Sequence, residues 1–311
     1  MPEFERPRIF RPPSEWMSYY LPLTSGCSNN TCIFCYYHGS KLQIRDVEEV
    51  KAEIDALHLY KTQGLATPDV DRTVFILASQ WDGRRVFLQD GDALVYPFPK
   101  LLEVLDHLNE KFPDLERIAV YATAQDILRR SAGELRQLGE RKLTILYIGL
   151  ESGDDEILRD IGKNTTAAEM IAAAQRVEEA GLMLSVMVIL GLGGVERSEQ
   201  HALATADVLS KMDPEYGAAL TLTIVPGTPL HDMIERGEFH PIDPFQSLAE
   251  LRQIIVNLNV TDCFFSSMHA SNYVTVRGTL PDDRDKMLAS IDKILKKKDP
   301  RLLRPEGFRG L

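Results

Sequence analysis

The sequence predicts an α/β fold, a partial (β/α)6 TIM-like barrel with a C-terminal α/β cap. Short apolar segments alternate with amphipathic helical patterns six times between residues 18 and 230. Parallel neighbouring strands need helical, right-handed crossovers, so six such units favour an open, curved barrel. A doubly wound sheet is the alternative. Because the alternation stops after residue 230, we predict two domains, 1–230 and 231–311.

The first unit consists of the strand Ser18–Leu23, the loop Thr24–Ser40 and a helix. Asp46 has the short acceptor side chain of a helix N-cap, and apolar residues then recur at the three- and four-residue spacing of one helix face. The segment Thr73–Ser79 fits no unit. We predict that it is an added hairpin or an extension of the second strand.

The other five units follow in order. The helix of the second unit is predicted at Phe98–Lys111, and capping boxes start later helices at Ser131 with Glu134 and at Thr166 with Glu169. The predicted strands are Val86–Gln89, Arg117–Tyr121, Leu143–Gly149, Met183–Leu190 and Ala218–Val225.

The C-terminal segment departs from this alternation. It predicts a helix at Ser247–Leu258, a short strand near Cys263–Ser267, the polar tract Met268–Arg277 and a helix at Pro281–Lys297. Functional loops of strand–helix barrels follow the carboxyl ends of the strands. We therefore expect this segment to cap the barrel mouth.

The composition limits the partners. The chain of 311 residues has a formal net charge of −11 and no long basic run, so a nucleic-acid partner is not expected. No segment approaches the roughly 20 apolar residues of a membrane span, and the start MPEFERPRIF lacks the apolar core of a signal peptide. These features predict a cytoplasmic protein without a membrane partner.

Three of the four cysteines, Cys27, Cys32 and Cys35, lie within nine residues, whereas Cys263 is far away. In a reducing compartment such crowding favours a metal site over disulfides. A structural zinc site needs a fourth ligand, which His38 is near enough in sequence to supply. A [4Fe–4S] cluster with three thiolate ligands and one open iron is the other interpretation. The loop alone leaves both open.

The loop GCSNNTCIFCYY resembles the signature of the radical S-adenosylmethionine (SAM) superfamily. The resemblance implies that Cys27, Cys32 and Cys35 bind three irons of a [4Fe–4S] cluster, and that the methionine part of SAM chelates the fourth. It also implies that Phe34 lies against the adenine and that Tyr36 offers backbone groups to the adenine edge. The first cysteine gap has four residues here, whereas three are commonest in the family.

Residues after the second and third strands fit the same resemblance. The segment Gln89–Ala93 stands where the family has a glycine-rich turn for the methionine amino group. The implied acceptors are the backbone carbonyls of Asp90 and Gly91, together with Asp92. Thr123 stands where a hydroxyl faces the ligand. An ordinary Asp-Gly turn is the alternative.

The fourth strand carries the segment GLESGDDEILRDIGK. It closely resembles the branch that includes the methylthiotransferases and the oxygen-independent coproporphyrinogen oxidases. The resemblance implies that Glu151 accepts from the ribose hydroxyls or the methionine ammonium, and that Lys163 pairs with the carboxylate. After the sixth strand, it places Val225 and Pro226 beside the base. An acidic helix cap at Asp154 is the alternative interpretation of the fourth strand end.

The implied activity is that of a radical SAM enzyme, an oxidoreductase or transferase. Reduction by an external donor such as flavodoxin or ferredoxin cleaves SAM to methionine and a 5′-deoxyadenosyl radical, which abstracts hydrogen from an unidentified substrate. His269 is a predicted proton donor and Cys263 a predicted hydrogen-atom donor, with loop and core roles as the alternatives. A second three-thiolate cluster and a cobalamin domain before the barrel are not expected, which disfavours methylthiolation and cobalamin-dependent methylation.

Two other functions stay open. One is a zinc-stabilised barrel enzyme with His38 as the fourth ligand, which predicts a colourless protein. The other is an iron–sulfur electron-transfer or carrier protein, which predicts a brown protein indifferent to SAM. A zinc module needs no motifs at other strand ends, so the series that ends at Val225 favours the cluster.

Overall fold

A computed structural model describes residues 4–310 of the chain. Its strands are β1 (Tyr19–Pro22), β2 (Thr24–Ser25), β3 (Gln43–Ile44), β4 (Arg85–Gln89), β5 (Arg117–Ala122), β6 (Leu143–Glu151), β7 (Met183–Leu190), β8 (Tyr216–Thr221), β9 (Cys263–Ser266) and β10 (Arg277–Leu280). Its helices are α1 (Val47–Gln63), α2 (Arg72–Gln80), α3 (Phe98–Lys111), α4 (Ala124–Leu128), α5 (Ala132–Gly139), α6 (Asp155–Asp160), α7 (Ala167–Glu179), α8 (Gly194–Met212), α9 (Pro229–Glu235), α10 (Pro244–Asn257) and α11 (Arg284–Lys297). Within residues 4–310, no helix is both long and apolar enough to cross a membrane.

Eight strands form the main sheet, in the order β1, β4, β5, β6, β7, β8, β9, β10. The β1–β4, β4–β5, β7–β8 and β8–β9 pairs are parallel, whereas β10 runs antiparallel to β9. Strands β2 and β3 form a separate antiparallel pair. This mixed α/β architecture, with a mainly parallel sheet and helices between the successive parallel strands from β4 to β9, confirms the predicted fold class.

The described chain divides into two compact units. The first contains the described residues up to Asn30, Gly39–Tyr147 and Arg176–Leu182. The second contains Thr31–His38, Ile148–Gln175 and the described residues from Met183 onward. The boundary predicted at residue 230 stays a prediction.

Helix α1 in the first unit confirms the predicted N-cap. The Asp46 carboxylate accepts a hydrogen bond from the Glu48 N–H at 2.9 Å. In the middle of the helix, the buried Glu53 pairs with Arg6 at 2.9 Å and with Arg45 at 2.7 Å. Because a buried carboxylate is costly unless it is paired, these contacts hold the N-terminal arm against α1.

The prediction of a hairpin or strand extension at Thr73–Ser79 is wrong, because these residues lie in helix α2. Asp71 caps this helix by accepting from the backbone N–H two residues later, at 2.7 Å. Val74 and Ala78, four residues apart, are fully buried, whereas Ile76 is 64% exposed. A run rich in β-branched residues favours a strand when it is considered alone, but packing against α1 selects a helix here.

Three helix starts agree with the sequence. Helix α3 has the predicted bounds. Ser131 and Glu134 form the capping box of α5, with both reciprocal hydrogen bonds present. Thr166 and Glu169 form another capping box before α7. The Thr166 N–H donates to the Glu169 carboxylate at 2.8 Å, and the Glu169 N–H donates to the Thr166 hydroxyl oxygen at 3.2 Å. Helices α4 and α6, each shorter than two turns, were not predicted.

Strand β7 has the predicted bounds, but β8 ends at Thr221 and not at the predicted Val225. Leu222 still donates a backbone hydrogen bond to Leu190 at 2.9 Å. The apolar residues continue beyond that point without strand pairing, so their pattern overestimates the strand. Val225 therefore lies in the loop after β8.

The C-terminal segment contains the predicted β9 and two helices. Helix α10 begins before the predicted Ser247, because Asp243 and Gln246 form a capping box. The polar tract Met268–Arg277 leads into β10, which the sequence did not predict. Helix α11 starts after the predicted Pro281.

Candidate functional site

In the first unit, the start of the cysteine loop lies against the segment after β4. The Gly26 N–H donates to Asp90 Oδ2 at 2.9 Å, and the Asp90 N–H donates to Thr24 Oγ1 at 3.1 Å. The Cys27 Sγ lies 3.8 Å from the Gly91 carbonyl oxygen. The structure therefore brings together two segments that the sequence analysis selected at separate places in the chain.

Ser28, next to the first cysteine, contacts two buried carboxyl groups. Its hydroxyl donates to Asp92 and lies 3.5 Å from Asp126 Oδ2. Thr123 also donates to Asp126, and Arg129 pairs with it at 2.9 Å. Burial, and then the neighbouring Asp126 carboxyl, raise the pKa of Asp92 well above its usual range. These factors favour the neutral form of Asp92, which is a weak acceptor for an ammonium group.

In the second unit, Cys32 lies against the turn that follows helix α6. Its Sγ is 3.8 Å from the Gly162 carbonyl oxygen, which also accepts from the Thr31 hydroxyl at 2.7 Å. The Ile33 N–H donates to the Ile161 carbonyl at 3.0 Å. Gly162 has a φ of +70°, and a Cβ there would lie 2.4 Å from the Thr31 oxygen. Only glycine fits this close approach.

Cys35 lies in a tight turn of the same loop. Its N–H donates to the Cys32 carbonyl at 3.1 Å, and its own carbonyl accepts from the His38 N–H at 3.0 Å. The Tyr37 N–H points at the Cys35 Sγ from 3.4 Å. A backbone donor is therefore directed at this sulfur. The His38 side chain is exposed.

The aromatic residues of this loop differ in environment. Tyr36 is 47% exposed, and its ring lies 5.7 Å from that of Tyr37. The Leu230 N–H donates to the Ile33 carbonyl at 3.1 Å, which joins the loop to the start of α9. Phe34 is partly buried against an apolar cluster formed by Ile157, Leu158, Ile161, Leu192, Leu222 and Leu230.

Strand β6 ends in an ion pair. The Glu151 carboxylate accepts from Lys163 Nζ at 2.8 Å, and the two side chains are only 13% and 15% exposed. A Cβ on Gly149 would lie 1.9 Å from Glu151 Oε1 and 3.0 Å from Lys163 Nζ, so the pair lies directly over this glycine. The structure thus joins the two residues that the fourth-strand resemblance selected.

Val225 and Pro226 lie in the loop between β8 and α9. The Val225 carbonyl accepts from the Thr228 hydroxyl at 2.8 Å, and Thr228 also caps α9. Val225 is half-buried, whereas Pro226 is exposed. The cap therefore fixes the backbone of Val225.

Cys263 is the first residue of β9, and His269 lies three residues after the strand ends. The His269 Nδ1 accepts from the Ser271 N–H at 3.2 Å, so its other ring nitrogen carries the hydrogen. Burial, and then the nearby Arg304 guanidinium, lower the pKa of His269. The Cys263 side chain is fully buried, and burial raises the pKa of its thiol to about 12.

The donor set fits the implied cofactors. All four cysteines lie in the described part of the chain and are thiols rather than disulfides. Thiolates are the soft ligands that iron–sulfur clusters require. The buried Glu151–Lys163 pair presents one charge of each sign, which is the complement of the zwitterionic methionine part of SAM.

Sequence reasoning missed Ser28, Asp126 and Gly162. Asp126 lies in α4, which has five residues and is too short for a periodic pattern to reveal. A weak signal for Gly162 existed, because a glycine that follows a helix and precedes a selected lysine suggests a left-handed turn.

Comparisons with known proteins address the family and the fold of this chain. The sequence profile of the radical SAM superfamily matches residues 21–206. Heme chaperone HemW of Bacillus subtilis is 23% identical over 228 residues, which are 73% of this chain and 56% of that protein. tRNA-2-methylthio-N(6)-dimethylallyladenosine synthase of Hahella chejuensis is 26% identical over 235 residues, 73% of this chain and 48% of that protein. The chain therefore spans about half the length of the curated relatives it matches.

One solved structure with the same fold is coproporphyrinogen III oxidase (HemN) from Escherichia coli, described as a radical SAM enzyme. The TM-score is 0.53 at 15% sequence identity, over 77% of this chain and 51% of that one. At this identity, the likeness shows the fold alone.

Proposed function

Because the chain belongs to the radical SAM superfamily, we propose that it reductively cleaves SAM and uses the resulting radical on a substrate of its own. The match over residues 21–206 carries this proposal, since it includes the cysteine loop and the Glu151 segment. When bound, the [4Fe–4S] cluster and SAM supply methionine and a 5′-deoxyadenosyl radical that abstracts hydrogen from the substrate. An external reductant is the implied electron donor.

The thiolates of Cys27, Cys32 and Cys35 hold three irons of the cluster in this proposal. Their proximity within nine residues of one loop supports it. The carbonyl groups of Gly91 and Gly162 approach the sulfurs of Cys27 and Cys32. A zinc site that uses His38 is not favoured, because the family match covers the cysteine loop and the His38 side chain is exposed.

The methionine part of SAM binds through charge. We assign Glu151 to the methionine ammonium or the ribose hydroxyls, and Lys163 to the carboxylate. Their mutual ion pair holds both side chains in place before SAM binds, so little rotamer entropy is lost on binding. Near Cys27, the carbonyls of Asp90 and Gly91 are better ammonium acceptors than the Asp92 carboxyl, whose neutral form is favoured.

The adenosine part binds through apolar and backbone contacts. Phe34 supplies a ring against the adenine, Tyr36 supplies backbone groups at the adenine edge, and Val225 with Pro226 lines the base. The packing of Phe34 against the apolar cluster and the cap on the Val225 carbonyl support these roles, since both groups are held by the protein. The Thr123 hydroxyl faces Asp126, so its assigned contact with SAM needs a second hydrogen bond from the same oxygen.

On the substrate side, we assign His269 as a hydrogen-bond donor through its protonated ring nitrogen. Its lowered pKa favours the neutral ring at pH 7, so it polarises a substrate group rather than delivering a proton outright. Cys263 as a hydrogen-atom donor stays a prediction that requires access to a fully buried sulfur.

The test is anaerobic reconstitution with iron and sulfide, followed by reduction in the presence of SAM. We expect 5′-deoxyadenosine from the wild-type protein, and we expect Cys27→Ala, Cys32→Ala and Cys35→Ala to lose the bound iron. Cys263→Ala is the matched control and keeps its iron, because its thiol is in the core. A fully loaded brown protein that forms no 5′-deoxyadenosine would overturn the proposal in favour of an electron-transfer or carrier protein.

A further inference from the structure

We propose that Ser152, His201 and Glu250 form a buried positioning chain that fixes the backbone at Glu151. These three residues come from the end of β6, from α8 and from α10. Ser152 lies within the fourth-strand segment but received no role there, and His201 and Glu250 belong to no motif. The inference rests on the proposed role of Glu151 in binding SAM, and it adds residues that act through Glu151 rather than on SAM itself.

The backbone at Glu151 needs support. Its φ is +62°, a left-handed conformation that is unfavourable for a residue with a Cβ. Ser152, the next residue, is fully buried and is held on three sides. Its N–H donates to the Leu150 carbonyl at 2.8 Å, its hydroxyl oxygen accepts from the Asp154 N–H at 3.1 Å, and the same hydroxyl lies 2.8 Å from His201 Nδ1.

The hydrogen positions on His201 follow from its partners. Its Nε2 lies 3.0 Å from the Ile189 carbonyl oxygen, which can only accept, so Nε2 carries the hydrogen. In the neutral ring, Nδ1 is therefore an acceptor, and the Ser152 hydroxyl donates to it. The His201 ring thus links the end of β6 to the end of β7 in one fixed tautomer.

Glu250 extends the chain to α10. Its Oε1 lies 3.4 Å from His201 Nε2 and accepts from the Gly191 N–H at 2.7 Å. Its other carboxylate oxygen accepts from the Ser198 hydroxyl. Gly191 is the first residue after β7 and has a φ of +92°. One carboxylate therefore holds the turn after β7, the start of α8 and the imidazole together.

Helix α8 packs closely against the end of β6, so the hydrogen-bonded residues Ser152 and His201 have little freedom to move. The Gly153 N–H donates to Thr205 Oγ1 at 3.0 Å. A Cβ on Gly153 would lie 2.2 Å from the Ala204 carbonyl oxygen. The backbones are in direct contact, so a change in the His201 side chain is transmitted to the turn at Ser152.

Because Ser152, His201 and Glu250 are buried, they do not act directly in catalysis. The order serine, histidine, glutamate resembles that of a hydrolytic triad, but a nucleophile must reach its substrate. The side chains of His201 and Glu250 have no exposure, and neither has Ser152. No substrate contacts them, so they are positioning residues.

The test measures the dissociation constant of SAM for the reconstituted protein, by anaerobic equilibrium dialysis with labelled SAM. We expect Ser152→Ala and His201→Gln to raise this constant by about tenfold, the effect of one lost hydrogen bond, with bound iron unchanged. His201→Gln keeps a donor near Ile189 but loses the acceptor for Ser152. Glu250→Gln keeps an acceptor for Gly191 and restores most of the affinity that Glu250→Ala loses.

Ser185→Ala is the matched control, because Ser185 is also buried, lies in β7 and is outside the chain. It leaves the SAM affinity unchanged. In 5′-deoxyadenosine formation, Ser152→Ala raises KM for SAM whereas kcat stays within about twofold.

A double-mutant cycle with Glu151→Gln decides whether the chain acts through Glu151. We expect Ser152→Ala to have little further effect once Glu151 is replaced. If the two effects multiply, or if Ser152→Ala and His201→Gln bind SAM like the wild type, the inference is overturned and the proposed function stands. A wild-type protein that binds no SAM instead overturns the proposed function.

Discussion

At the scale of single residues, burial shifts the pKa values of Glu250 and His201 in opposite directions. Burial raises the pKa of Glu250 from 4.5 to about 7 and lowers the pKa of His201 from 6.5 to about 4. Between pH 4.5 and 7 the folded state binds more protons at Glu250 than the unfolded state does, so Glu250 makes stability fall as pH rises. Between pH 4 and 6.5 the unfolded state binds more protons at His201, so His201 makes stability rise. The two contributions nearly cancel.

Replacing one partner should expose the contribution of the other. In Glu250→Gln, the free energy of unfolding of the apo protein should rise between pH 4 and 6.5 by about 3 kcal/mol more than in the wild type. In His201→Gln, it should fall between pH 4.5 and 7 relative to the wild type. Urea unfolding at a series of pH values measures both slopes. Parallel stability curves for the three proteins would contradict the opposed shifts.

At the scale of elements, two glycines with nearly the same φ distinguish the effect of backbone strain from that of close contact. Gly162, in the turn after α6, and Gly181, before β7, have φ values of +70° and +71°. A Cβ on Gly181 meets nothing within 4 Å, whereas one on Gly162 meets the Thr31 oxygen at 2.4 Å. An alanine at either position would have to adopt an unfavourable left-handed conformation, but only Gly162 lies against the cysteine loop.

We expect Gly162→Ala to reduce the bound iron per chain by half or more after reconstitution, since the added methyl group displaces the backbone next to Cys32. Gly181→Ala should keep its iron and lose about 1 kcal/mol of stability. Iron analysis and urea unfolding of both variants test this. Equal iron loss in the two variants would show that backbone strain, and not the contact with the loop, is responsible.

The elements also show what sequence periodicity detects. The bounds of α3 and β7 and the capping boxes of α5 and α7 were predictable, because each has a clear period or a local cap. The run Thr73–Ser79 misled, because its composition favours a strand and only its packing reveals a helix. Glu151 and Lys163 were selected from one motif, 12 residues apart. Ser152 and His201 are 49 residues apart, and no local pattern connects them.

At the scale of the whole molecule, the end of the described chain is tied to the loops that follow β8 and β9. The Arg309 side chain, only 5% exposed, donates to the Leu222 carbonyl at 2.8 Å, the Ser271 carbonyl at 2.6 Å and the Tyr273 hydroxyl at 2.6 Å. Its guanidinium also lies 4.3 Å from the Tyr273 ring centroid. A planar group with five donors suits such a multiple contact.

Arg309→Ala should therefore loosen the segment 268–273, which contains His269. We expect its backbone amides to exchange with deuterium about tenfold faster, while exchange in α1 and α3 stays unchanged. Arg301→Ala is the control, because Arg301 is 89% exposed and, among residues 4–310, its side chain makes its ion pair and hydrogen bonds with Asp299. Hydrogen–deuterium exchange with mass spectrometry compares the variants, and identical protection of the segment in both would refute this role for Arg309.

The contact between Cys32 and Gly162 has a consequence for biosynthesis. The two residues are 130 positions apart in the chain. A ribosome adds about 5–20 residues per second, so the turn that receives Cys32 emerges on the order of 10 s after the cysteine itself. During that interval the second and third thiols of the loop are in an unfolded nascent chain, open to oxidants and to competing metal ions. Protection of the nascent thiols is therefore a separate requirement from the stability of the finished fold.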